Sequence, residues 1–162
     1  MDNELSSLLG STGAELISVL FTWGALWLLL RLLSSAVMAT WLANAFLLTA
    51  IAATLIASLG FKLNLYAELN GWGLLTVLMV GLNLVVVPLF YWLDKRKSCR
   101  QSATRIPEAV LHSLAFSGGA ASALVSQQFF NHKTVKPGFR LKTWAALILN
   151  MILFYALSTV FI

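Results

Sequence analysis

Charge is what this sequence has least of: 10% of its 162 residues are Asp, Glu, Lys or Arg, where a soluble domain carries nearer a quarter. With 59% hydrophobic residues, water is not the main solvent of the folded chain. Cysteine is almost missing as well. Cys99 stands alone in a basic, polar stretch, which excludes an intramolecular disulfide. There is no HExxH, no Cys pair, no G-x-S-x-G elbow and no P-loop, the short motifs that would name a reaction. No basic residue precedes the first apolar run. A cleaved signal peptide needs a positive n-region, so that run is expected to be retained. No long internal repeat is present.

What is abundant is apolar length. The runs Leu16 to Leu33, Ala36 to Leu59, Trp72 to Leu93 and Thr143 to Ile162 each approach the roughly 20 residues that a helix needs to cross a hydrocarbon core of about 30 Å. An all-α, polytopic membrane protein is expected. Leu16 to Phe61 is too long for one crossing, and Arg31, Ser34 and Ser35 interrupt it, which predicts two helices joined by a tight turn with Arg31 snorkelling to the headgroups. Pro88 should kink the third span and free a carbonyl near Leu84. Asn44, Asn83 and Asn150 read as amides that link helices by hydrogen bonds. The four-residue spacings of Ala115, Gly119 and Ala123, and of Ala45, Thr49, Ala53 and Ala57, would let backbones approach closely. Trp41, Trp92 and Trp144 fall near one expected interface and Trp72 near the other.

Ala109 to Phe130 is the ambiguous segment. It is long enough to cross, yet it carries His112, several serines, Gln127 and Gln128, and Gly118 and Gly119 split it centrally. If it crosses, giving a five-span bundle, six basic residues lie on one face and five on the other. If it turns at the glycines and returns as a re-entrant helical hairpin over residues 107–131, ten of the eleven share one face and Lys62 alone faces the other. The second arrangement obeys the positive-inside rule. Backbone broken at membrane depth must be enclosed by protein, so the hairpin needs the four spans around it. Residues 1–71 then form a two-span region and residues 72–162 a second region, with spans 72–93 and 143–162 flanking the hairpin.

Polar groups with chemical capacity gather in the second half: Asp94, Lys95, Arg105, Pro107, Glu108, His112, His132, Lys133, Thr134 and Lys136. Pro107 suits a first helical turn, where Glu108 also complements the positive end of the dipole. Glu108 and His112 are four apart and share a helical face. From about Thr76 onward the chain resembles the bacterial membrane family catalogued as domain of unknown function 1294. The resemblance rests on Asp94 with Lys95, the RIPE at Arg105 to Glu108, His112, the paired Gly118 and Gly119, the HKT at His132 to Thr134, Lys136 and Phe139. Where the family commonly has Pro-Gly after the paired glycines, this chain has Ala120, Ala121 and Ser122, a departure that argues against a sharp turn. Some relatives carry a cold-shock-like domain in front. Two apolar spans stand in its place here, so nucleic acid is not an expected partner. The resemblance implies a bacterial cytoplasmic (inner) membrane protein, and the charge pattern puts its basic loops inside and both termini outside.

Three functions compete at this stage. Lys95, Arg105, His132, Lys133 and Lys136 would suit an anionic lipid headgroup or phosphorylated ligand, since basic pockets between helices are a recurrent cytoplasmic-side lipid site. Asp94, Glu108, His112, Gly118 and Gly119 would alternatively be structural, in a protein that assembles with a membrane partner or with itself. The third reading is an intramembrane enzyme using Glu108, His112 and His132. No cofactor and no metal is expected. Asp, Glu and Lys are missing from the apolar centres of the spans, which argues against a proton-coupled transporter.

Overall fold

The computed structural model describes residues 20–62, 71–100, 105–131 and 137–161. These form α1 (Leu20–Leu33), α2 (Ala36–Lys62), α3 (Gly71–Gly81), α4 (Val87–Ser98), α5 (Glu108–Leu114), α6 (Ala120–Phe129) and α7 (Pro137–Phe161). A wide π turn, Leu82–Val86, joins α3 to α4, and a second, Ala115–Gly119, joins α5 to α6. Among the described residues there is no strand. Four helical stretches are long and apolar enough to cross a membrane: Ala36–Gly60, Gly71–Ser98, Glu108–Phe129 and Pro137–Thr159. The expected first span is shorter in its described part, Leu20–Leu33, with Leu16 and its neighbours outside the described residues. The helices also outrun the apolar runs. α4 continues past Leu93 to Ser98 and α7 begins at Pro137 rather than Thr143, because a helix can continue through polar residues where the hydropathy signal stops.

The chain divides into two compact units, Met1–Leu47 and Leu48–Ile162. In the first, the break between α1 and α2 falls where the serines predict it. Ser34 Oγ donates to the Leu30 carbonyl at 2.7 Å and the Met38 amide donates to Ser35 Oγ at 3.4 Å, so one serine satisfies an orphan carbonyl of α1 and the next caps α2. Arg31 also donates to the Ser34 carbonyl at 3.4 Å. Trp27 Nε1 reaches Thr40 Oγ1 at 3.1 Å and ties the two helices. Asn44 lines a cleft of about 340 Å³ with Thr40 and Trp41.

In the second unit, Pro88 acts one turn upstream of itself. The Val87 amide donates to the Leu82 carbonyl, five residues back, and this widened turn accommodates a proline that offers no N–H to Leu84. Gly81 lies against α2 so closely that a Cβ there would sit 3.2 Å from the Ala53 nitrogen. The core is built from α4, the 105–127 segment and the start of α7: Val86, Phe90, Tyr91, Val110, Leu111 and Ala120 are all essentially inaccessible.

Glu108–Phe129 is not one regular helix. Gly118 has φ 115°, ψ −4°, a left-handed conformation that glycine alone adopts freely. Its partners on α7 come out of order. His112 stacks on Phe139 with ring centroids 4.3 Å apart, the Ala115 carbonyl accepts from Asn150, and Gln127 then donates to Thr143. Moving along the segment, contact advances about three turns up α7 and then retreats about two, so the path bends back at Gly118. Gly119 is needed as well, since a Cβ there would lie 2.5 Å from Val87 Cγ2 and 2.8 Å from the Leu114 carbonyl oxygen. Ala120, Ala121 and Ser122 follow the glycines, so the bend forms with no proline after it. The small residues Ala115, Gly119 and Ala123 are all buried in it. α6 then ends at Asn131, whose φ of 47° is the left-handed cap that asparagine tolerates best after glycine.

Candidate functional site

The bend leaves backbone groups without helical partners, and two asparagines from neighbouring helices supply them. Asn83 Nδ2 donates to the Gly118 carbonyl at 2.9 Å, and the Ser122 amide donates to Asn83 Oδ1 at 3.3 Å. Ser122 is the third residue of α6, so Asn83 does from another helix what an N-cap side chain does from its own. The same Nδ2 also reaches the Met79 carbonyl at 2.9 Å. Asn150 Nδ2 donates to the Ala115 carbonyl at 2.8 Å and closes the end of α5. Above this rung, between α3, the bend and α7, lies a mostly apolar cavity of about 590 Å³.

A second rung sits about two turns away, on α4. Gln127 Nε2 donates to Tyr91 Oη at 3.2 Å and to Thr143 Oγ1 at 2.9 Å, and Thr143 Oγ1 donates to the Phe139 carbonyl at 3.1 Å. Tyr91, Gln127 and Thr143 are all buried. This rung ties the middle of α4 to the last turn of α6 and the second turn of α7. Asp94 is fully buried three residues beyond Tyr91, on the same face of α4. A carboxylate removed from water has to be held by its neighbours.

Around that end the expected site residues distribute unevenly. Lys95 is half-buried, Arg105 and Glu108 are exposed, and His112 is half-buried against Phe139. Pro107, with ψ 137°, precedes α5 as its cap rather than occupying its first turn, which starts at Glu108. Arg96 stacks over Trp92 at 5.1 Å from the ring centroid, and Arg140 and Lys142 lie exposed on the first turns of α7. His132, Lys133, Thr134 and Lys136 lie outside the described residues. The ends they connect, Asn131 and Pro137, belong to the helices that Gln127 ties together. Among the described residues no three of His, Cys, Asp and Glu gather to hold a metal ion.

Tyr91, Gln127 and Thr143 were not expected as a unit. Tyr91 and Thr143 lie within or at the edge of apolar runs, and only Gln127 stood out as polar. Asn83 and Asn150 were expected to link helices, and they do, but through backbone groups that only the bend exposes.

Residues 83–139 match the family described as a protein of unknown function, DUF1294. The matched stretch opens on Asn83, contains the bend and Gln127, and closes on Phe139. No curated protein and no solved structure matches the chain.

Proposed function

We propose that this small helical membrane protein holds a phosphate-bearing anion, a lipid headgroup or a soluble phosphorylated compound, at the basic end of its second unit. In this reading Glu108–Phe129 is a re-entrant hairpin that enters and leaves by the cytoplasmic face of a bacterial inner membrane. One observation supports the proposal: Gln127 joins Tyr91 of α4 to Thr143 of α7, and so ties together the three helices α4, α6 and α7, next to which Lys95, His132, Lys133, Lys136 and Arg140 stand in sequence, with Arg105 leading into α5. Burial supports the hairpin. Glu108–Phe129 is the least apolar of the four long stretches and the most enclosed, 44% of its window buried against 11% for Pro137–Thr159. Lipid cannot satisfy a broken backbone, whereas surrounding protein can. The exposed position of Glu108 and the packing of His112 on Phe139 favour structural duties over acid-base work for that pair.

Cys99 is exposed, as is Asn131. In cells an impermeant thiol reagent should spare both Cys99 and a cysteine introduced by Asn131→Cys, and label neither until the membrane is opened. Labelling of position 131 from outside with Cys99 protected would mean that the segment crosses. For the ligand, the protein in phosphatidylcholine nanodiscs should take up phosphatidylglycerol, and Lys133→Ala should weaken that uptake far more than Lys97→Ala. Competition by inorganic phosphate would identify a soluble ligand, and insensitivity to it a lipid. Equal losses from the two substitutions would reduce the site to nonspecific surface attraction.

A further inference from the structure

A hairpin that turns back at Gly118 fills only part of the space between α3 and α7, and the remainder is the cavity of about 590 Å³ beyond its tip. That volume falls within the roughly 300–1,000 Å³ of small-molecule sites. Met79, Phe116, Met151, Leu153, Phe154 and Leu157 supply most of its wall. We propose that this cavity takes a single acyl chain of a membrane lipid. The floor carries polar side chains, but most of their donors are already engaged: Asn83 bonds through both its amide nitrogen and its oxygen, and Asn150 through its nitrogen. Ser117 and Ser158 donate to carbonyls of their own helices, at 2.8 Å and 2.6 Å. A polar occupant would find few partners there and would still lose its hydration, whereas an apolar chain loses nothing. The mouth points to the same source. Met151, Phe154, Tyr155 and Leu157 are exposed large side chains on α7, the face that a spanning helix turns to hydrocarbon. Trp72, stacked on Phe154 at 4.9 Å, stands beside that wall. The inference goes beyond the headgroup proposal and concerns the opposite end of the hairpin. Either could fail alone.

The test uses the full chain in nanodiscs of phosphatidylethanolamine and phosphatidylglycerol, with a trace of phosphatidylcholine whose acyl chain ends in a diazirine. After irradiation, adducts mapped by mass spectrometry should concentrate on cavity residues such as Met79 and Phe116. Ser158→Trp places bulk in the cavity without touching either asparagine, and should reduce those adducts to background. Ile148→Trp, at an exposed position of α7 outside the cavity lining, should leave them unchanged. Both variants are checked for monodispersity, and Leu157→Trp serves as a second filler should Ser158→Trp not fold. Adducts confined to Ile148 and Ile152, or cavity adducts indifferent to both fillers, would overturn the proposal. So would a chain-to-chain crosslink from a photoreactive residue at Leu153, which would make the occupant a second copy.

Discussion

Two rungs of hydrogen bonds hold the Glu108–Phe129 segment to its neighbours, and they are made from different partners. At the level of Gly118, Asn83 and Asn150 bond to backbone groups, the Gly118 and Ala115 carbonyls and the Ser122 amide. Toward the basic end, Gln127 bonds to the side chains of Tyr91 and Thr143. The helices on either side of the second rung are regular, so their backbones need nothing and the rung is an addition. At the bend the backbone itself is in deficit, and the asparagines repair it. One rung is a condition of the fold, while the other adjusts it.

The largest expected effect follows from that difference. Asn83→Leu takes the partner from the Gly118 carbonyl and the Ser122 amide at a part-buried site, and a stranded buried group costs about 1–3 kcal/mol. The variant should lose about 3 kcal/mol or more in SDS-titrated unfolding from mixed micelles. Asn44→Leu, which changes an asparagine of α2 at no helix break, should lose far less. Similar losses from both would mean that Asn83 contributes as an ordinary interhelical amide and that the bend does not depend on it.

What could be read from the sequence divides along the same line. Breaks announce themselves locally. Ser34 and Ser35 cap the helix ends they separate, Pro88 distorts the turn before it, and Gly118 takes the one conformation that needs a glycine. The partners of those breaks do not. Asn83 lies 35 residues from Gly118 and 39 from Ser122, so nothing near either position announces the cap. Tyr91 was hidden because tyrosine sits naturally in an apolar run, and Thr143 because it marked where such a run began. No Pro-Gly follows Gly119, which weakens the sequence signal for a sharp turn, yet the chain bends there with Asn83 bonded to the Gly118 carbonyl and the Ser122 amide. Of the basic cluster, Lys95 and Arg105 can be placed, while His132, Lys133 and Lys136 lie outside the described residues.

The smallest expected effect is also the sharpest test of the comparison. Gln127→Leu alone strands the Tyr91 hydroxyl in a buried site and should cost about 1–2 kcal/mol. Thr143 loses less, because its hydroxyl still donates to the Phe139 carbonyl. Adding Tyr91→Phe and Thr143→Val removes the two hydroxyls the single change left behind, with little change of shape, and replacing all partners of a buried hydrogen bond together can be nearly neutral. The triple variant should therefore unfold at higher SDS than Gln127→Leu and come within about 1 kcal/mol of the parent protein. No equivalent rescue exists at Asn83, since its partners are main-chain atoms that mutation cannot delete. If the triple variant is instead the less stable, the second rung must support something beyond its own three side chains. Asp94, fully buried three residues along the same face of α4, would be the group to vary next, because a buried carboxylate depends on the polar groups around it.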